Sequence, residues 1–202
     1  MEQQKAELIA ILDLAKKLRL NAVIFQVRPM TDAVYASKLE PWSEFLTGQM
    51  GKPQAFDPLT FLVAEAHKRG ILVHAWFNPY RARHPSAKGT LSRRHIANTN
   101  PSLVRRYGTH LWMDPGEAAV RERTVQVILD VVRRYDVDGV HIDDYFYPYK
   151  ERDRNGVIEF PDSASYARYV AGGGLLARDD WRRQNVDQLV EELHRAIHEV
   201  KP

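Results

Sequence analysis

Apolar positions along this chain follow a helical period and then a strand period, in repeated succession. In residues 1–18, MEQQKAELIAILDLAKKL, charged positions interrupt apolar ones at helical spacing, which predicts an amphipathic helix. The run AVIFQVR at 22–28 follows Leu20 and Asn21 and predicts a strand. The layout then recurs. A helix over 58–69, opened by Pro58 behind an Asp57 cap and closed by Gly70, leads into the strand ILVHAWF. A helix over 116–135, with Pro115 and Gly116 marking its start, leads into DGVHIDDYF at 138–146. A last long helix, about 179–199, begins after Arg178, Asp179 and Asp180.

Strands that alternate with helices of this length pair in parallel, because each crossover returns the chain across the sheet. A barrel and an open doubly wound sheet both satisfy that rule. The long loops, 29–57, 78–100 and 144–164, all follow strands, whereas helix-to-strand connections are short. Barrels build their sites on one rim in that way. A nucleotide-binding open sheet would carry a glycine-rich turn after its first strand, and QVRPMTD stands there instead. The run Gly172, Gly173 and Gly174 joins two helix-like stretches and reads as a hinge or tight turn. The expected fold class is therefore α/β of the TIM-barrel type, with residues 1–202 as a single domain.

Composition narrows the reading further. With 44% hydrophobic and 10% aromatic residues in 202, the chain can bury a substantial core. Its 29 Lys and Arg against 26 Asp and Glu are interspersed without a basic block, so nucleic-acid binding is not indicated. There is no cysteine, which removes disulfides and thiolate metal sites. The opening helix is too interrupted by charge for a signal peptide or a membrane span, so any targeting segment is expected outside this sequence.

Side chains alternate faces along a strand. Gln26 and Arg28 are expected on one face, as are His74, Trp76 and Asn78, and likewise His141, Asp143 and Tyr145. The opposite positions, Val23, Phe25, Val27, Val73, Ala75, Phe77, Val140 and Ile142, are apolar and would meet the helices. Such polar residues can simply fill the top layer of a barrel. Three strands aiming polar groups at one volume favour a site. Asp143 is the leading catalytic candidate, because a carboxylate at the end of a buried strand is costly unless paired or used. Asp144 joins it as a catalytic candidate, although it points the other way and suits positioning or capping.

A glycosidase needs two carboxyl groups, about 5 to 5.5 Å apart for retention and wider for inversion. Asp143 supplies one. Asp32, Glu44, Asp144 and Asp153, all on loops after strands, stay open for the second, as does a residue beyond 202. Arg28 and Arg81 can hold a substrate anion or an acidic catalytic group bidentately, and Trp42, Trp76, Tyr80, Tyr145 and Tyr147 offer faces for sugar rings. With Asp32 on its loop, these complete the substrate-binding set. His74, His84 and His141 raise a metal, but no His-x-His or His-x-x-x-His pair exists among them, so none is expected. No cofactor is expected.

The stretches QVRPMTDAVYAS, PWSEFLTGQMG, FDPLTFLVAEAHKRGILVHAWFNPYRAR, DVDGVHIDDYFYP and DDWRRQNVD strongly resemble the bacterial glycosyl hydrolase-like family ten, a group that includes a divisome-localised cell-wall glycosidase. The resemblance runs from about residue 6 to the C-terminus in the family's order. It implies a (β/α)8 barrel at the cell envelope, periplasmic or extracellular, that cuts glycan strands of peptidoglycan, notably those stripped of peptides. DGVHIDDY is also similar to the fourth-strand motif of α-amylase-type barrels, whose nucleophilic Asp lies two residues after a basic one. That likeness selects Asp143, with His141 in place of the usual Arg.

The family's barrel has one strand more before the first helix and four more strand-helix units after the last. An incomplete barrel with uncovered apolar edges is therefore expected, completed by a missing half or by self-association. Three functional readings follow. The first is a glycosidase on bacterial wall glycan, which as an isolated partial barrel need not be active. The second is a carbohydrate-binding module without turnover. The third is a metal-assisted hydrolase using His74, His141 and Asp143.

Overall fold

The computed structural model describes residues 2–201. The elements run α1 (Glu2–Lys17), β1 (Ala22–Arg28), α2 (Glu44–Thr47), α3 (Pro58–His67), β2 (Leu72–Phe77), β3 (Arg81–Arg83), α4 (Ile96–Thr99), β4 (Val104–Tyr107), β5 (His110–Met113), α5 (Ala118–Arg134), β6 (Gly139–Ile142), β7 (Arg152–Asp153), β8 (Gly156–Val157), α6 (Ser163–Ala171) and α7 (Arg178–His198). Strands β1, β2 and β6 form one parallel sheet in that order. The α/β expectation and the parallel pairing are thus found. No barrel closes among the described residues.

Local chemistry explains the helix starts. Asp57 caps α3, its Oδ1 accepting from the Leu59 and Thr60 N–H groups at 3.0 and 3.1 Å. Its Oδ2 accepts from Ala36 N at 2.9 Å and from the Tyr135 hydroxyl at 2.6 Å, so one side chain joins a helix start, a loop and the end of α5. Helix α5 begins at Ala118, two residues later than the sequence pattern places it. Asp114 takes the Gly116 N–H at 3.0 Å, which holds residues 114–117 as a turn. The Trp181 indole lies where a Cβ on Gly116 would stand, so the absence of a side chain there lets α7 approach the start of α5.

The face of the sheet built from Val23, Phe25, Val27, Val73, Ala75, Phe77, Val140 and Ile142 belongs to the main core. It shares that core with Leu59, Leu62, Val63 and Ala66 of α3 and with Val127, Ile128 and Val131 of α5. Each fully buried Val, Leu or Phe contributes roughly 1.5–3 kcal/mol of transfer free energy. The other face of the sheet is open. On it Ile24 and Leu72 are 53% and 45% exposed, although both are aliphatic. Helix α1 follows the same asymmetry, burying Leu12 and Ala15 beside α3 while Ile11 and Leu14 stay exposed.

One bulge changes the expected alternation. Gln26 pairs with Trp76, but Arg28 pairs with Phe77, so the register slips by one residue at Val27. Arg28 is therefore carried to the covered side of the sheet and is completely buried. Its Nε and Nη2 donate to Glu40 at 2.8 and 2.6 Å, and its Nη1 donates to the carbonyls of Asn78 and Pro79 at 2.6 and 2.9 Å. Burial opposes the charge, but the Glu40 carboxylate more than offsets it, and the Arg28 pKa lies above its ordinary value. Glu40 is itself fully buried. Glu40→Ala strands the guanidinium and is expected to cost about 3–5 kcal/mol in urea unfolding, with Glu40→Gln costing less. A Glu40→Ala midpoint equal to that of the wild type would contradict the pairing.

Candidate functional site

Strand β6 ends at Ile142, and Asp143 follows on the open face of the sheet. Its Oδ2 accepts from the Trp76 indole N–H at 3.2 Å and its Oδ1 from the Tyr145 N–H at 3.2 Å. The second bond is an Asx turn, in which a carboxylate takes the backbone N–H two residues on and stops the strand. The strand therefore has four residues, and Tyr145 owes its place to this turn and not to strand alternation. Trp76 meets His141 edge-on at 6.2 Å, so indole, imidazole and carboxylate lie together. The His74 ring covers Gly139 of the neighbouring strand, where a Cβ would stand 2.9 Å from it. Gln26 pairs in register with Trp76 on the same face.

A second sheet roofs this end of the strands. Strands β3, β5 and β4 pair antiparallel in that order, and β4 turns into β5 through Gly108, whose φ of +53° suits a residue without a side chain. The Trp112 indole N–H donates to the Phe146 carbonyl at 2.8 Å, tying this roof to the loop after β6. Rings then follow one another across the rim. Tyr149 meets Tyr145 at 4.9 Å, Tyr145 meets Trp112 at 6.0 Å, Trp112 meets His110 at 6.2 Å and His110 meets His84 at 5.2 Å. Arg81 lies over Tyr145, 4.3 Å from the ring centre.

The other expected site residues divide. Arg28, Asn78 and Tyr80 are completely buried, and none offers a face to a ligand here. Asn78 turns its amide oxygen to Arg81, accepting from Nη1 at 3.1 Å and Nη2 at 3.3 Å. Burial pushes the Tyr80 hydroxyl above its ordinary pKa. Tyr147 stands away from Asp143, its hydroxyl accepting from Asn185 at 3.1 Å and its ring edge-on to Phe160. It lines a separate cavity of about 510 Å³ with Tyr107, Phe160 and Arg182, a cavity that Asp143, Trp76 and Arg81 do not line.

The four candidates for a second carboxyl each have partners of their own. Asp32 is buried, with Oδ1 on Met30 N at 3.1 Å. Glu44 takes the N–H groups of Lys88 and Gly89 at 2.8 and 3.2 Å. Asp144 accepts from the Tyr149 hydroxyl, and Asp153 from Asn155 N at 2.7 Å. His74, His84 and His141 form no three-ligand group with a carboxylate among the described residues.

Sequence reasoning passed over Trp112, His110, Tyr149 and His95. The first two had a signal, the alternation in HLWM behind a two-residue Gly108-Thr109 turn. His95 had none, because its partners are remote. Its Nδ1 accepts from Ala97 N at 3.1 Å, so Nε2 carries the proton and faces Thr31 Oγ1 at 2.7 Å and the Ala82 carbonyl at 3.0 Å. Burial lowers its pKa, in keeping with a neutral ring that links the loop after β1 to β3.

The model of the family described as "Glycosyl hydrolase-like 10" matches residues 1–202. The chain belongs to the glycosyl hydrolase-like 10 family. It is 45% identical over 204 residues to "Glycosyl hydrolase YngK" of Bacillus subtilis, covering 100% of this chain and 39% of that one. It is 37% identical over 210 residues to "Glycosyl hydrolase DigH" of Escherichia coli K12, covering 98% and 46%. This glycosyl hydrolase-like chain thus spans less than half the length of these curated relatives. Its fold is similar to part of α-L-fucosidase isoenzyme 2 from Paenibacillus thiaminolyticus, with a TM-score of 0.65 at 14% identity over 98% of this chain and 28% of that one. It is similar also to part of the α-galactosidase from Lactobacillus brevis, with a TM-score of 0.56 at 13% identity over 98% and 24%.

Within this family member the Asp32 carboxyl has a pH signature of its own. Burial, above all, pushes its pKa from 3.8 to about 6, with Glu40 adding to the rise and Ser43, Met30 and Arg28 opposing it. The fold favours the protonated form, so the contribution of Asp32 to stability is full below the unfolded value and is lost as pH rises through about 6. Asp32→Asn cannot ionise. It is expected to gain on the wild type by up to about 3 kcal/mol between pH 4 and pH 7. Urea unfolding at steps across that range measures the gain, and a difference that stays constant with pH would refute it.

Proposed function

We propose that this chain carries the Asp143 portion of a glycosidase acting on bacterial wall glycan of the peptidoglycan type, at the cell envelope. One observation supports the reading above the rest. A carboxylate stands at the C-terminal end of a parallel strand, on the open face, held by an indole N–H and a backbone N–H. Barrel enzymes place their reacting groups at that end of the strands. Asp143 then acts as nucleophile or general base, while Trp76, His141, His74 and Gln26 contact the sugar from the same face. Both relatives are named glycosyl hydrolases, which agrees with glycoside hydrolysis.

A second reading, glycan binding without turnover, draws support from the second carboxyl. Asp32 and Glu44 are buried with backbone partners of their own, Asp153 caps the exposed turn at Asn155, and Asp144, beside Asp143, is taken by the Tyr149 hydroxyl. The first reading therefore leaves the proton donor to Asp144 or to a group outside residues 2–201. Reducing ends released from peptide-free wall glycan by the intact protein separate the two readings. Asp143→Asn is expected to lower kcat on the order of a thousandfold or more while leaving the thermal transition intact. Undiminished release by that variant, or binding by the wild type without release, would remove the catalytic reading.

A further inference from the structure

The cavity beside Tyr147 lies behind the loop that carries Asp143. Residues 143–148 have two sides. Tyr145 turns to Arg81 and Trp112 at the roofed end of the sheet, whereas Phe146, Tyr147 and Pro148 line the cavity. A volume of about 510 Å³ falls within the ordinary range of small-molecule sites. Tyr107, Ile158 and Phe160 continue its apolar floor, the Tyr107 and Phe160 rings meeting at 5.9 Å. Hydrogen bonds fix that floor. The Tyr107 hydroxyl donates to the Ile158 carbonyl at 3.1 Å and accepts from Glu151 N at 2.9 Å, and Asn185 of α7 donates to the Tyr147 hydroxyl at 3.1 Å.

The rim is charged and balanced, with Lys150, Arg182 and Arg183 against Glu159, Asp179 and Asp187. Four of these six are already paired. Arg182 meets Asp162 at 2.7 Å, Asp179 at 3.1 Å and Glu159 at 3.6 Å, and Arg183 meets Asp180. Lys150 from the loop and Asp187 from α7 are exposed, and neither makes an ion pair or a side-chain hydrogen bond among the described residues. A rim without net charge favours neither an anion nor a cation. A free donor and a free acceptor above apolar carbon suit a neutral ligand that brings an acceptor, a donor and an apolar face of its own. An acetamido sugar has all three. Its amide carbonyl accepts, its amide N–H and ring hydroxyls donate, and its methyl group and ring carbons rest on the floor.

We propose that this cavity is a second carbohydrate subsite, apart from the Asp143 face, that holds a neutral N-acetylated amino-sugar unit. It rests on the glycan reading above for its ligand class and adds a second point of grip, against the back of loop 143–148. Asp143, Trp76 and Arg81 take no part in it, since none of them lines the cavity.

The test is titration calorimetry of the intact protein with the N-acetylglucosamine tetramer, in an Asp143→Asn background so that no ligand is consumed. The tetramer is expected to bind with a component that Lys150→Ala combined with Asp187→Ala weakens on the order of tenfold. Both positions are exposed, so the thermal transition of that variant is expected to match its parent. Val186→Trp, which fills the cavity from α7, gives the same loss by a different route. Trp76→Ala, on the open face of the sheet, leaves the component in place. No tetramer binding overturns the proposal. Binding that survives every cavity substitution and disappears in Trp76→Ala also overturns it, because the Asp143 face is then the site observed. A uronate tetramer bound more tightly than the neutral one rules out the neutral ligand. The glycosidase reading fails separately. A wild type that releases no reducing ends, with the cavity component intact, leaves the subsite standing, whereas release alongside tetramer binding indifferent to the cavity substitutions ends the subsite alone.

Discussion

The buried pair of Arg28 and Glu40 is the interaction on which the rest of the site depends. It joins the end of β1, the loop that carries Glu40, and the carbonyls of Asn78 and Pro79 just past β2. The Pro79 carbonyl also accepts from the Thr124 hydroxyl of α5 at 3.1 Å, and the Tyr80 carbonyl accepts from Met113 N at 2.7 Å. One guanidinium therefore sets where β2 ends, where the roof sheet begins and how α5 lies against both. Desolvating two ions is expensive, and the geometry offsets that cost by satisfying most of the donors the guanidinium presents.

From that anchor the roofed end of the sheet is assembled by backbone more than by side-chain packing. The roof sheet hangs from the Tyr80 carbonyl and is fastened to the loop after β6 by the Trp112 indole. That loop starts with the Asx turn of Asp143, so the carboxylate that faces the open side also shapes the turn presenting Tyr145. Trp76 completes the arrangement from the neighbouring strand. Position and exposure are thus coupled at Asp143, since removing its acceptors would disturb the turn as well as the carboxylate on the open face.

The open face of the sheet has the character of an interior without cover. Ile24 and Leu72 are aliphatic and exposed there, side by side in register terms with the polar ladder of Gln26, His74, Trp76 and His141. In a closed barrel these positions are the layered centre. The covered face, by contrast, is finished, with α3 and α5 against it and α1 and α7 flanking them.

Local sequence by itself determined the order of strands and helices, the Asp57 cap, the apolar face of each strand and the candidacy of Asp143. Each of these is a short-range matter of period, capping or alternation, with its cause inside a few residues. Its motifs were specific enough for the family as well. The roof sheet was written less clearly, because strands of three or four residues carry too few alternations to stand out. Only the tertiary structure decided which residues face the site. A one-residue bulge at Val27 turned Arg28 inward, where Glu40 meets it. Register between strands is fixed by residues fifty or more positions away, and the partner of a buried charge stands on another loop, as Glu40 does twelve positions from Arg28, so no local pattern encodes either.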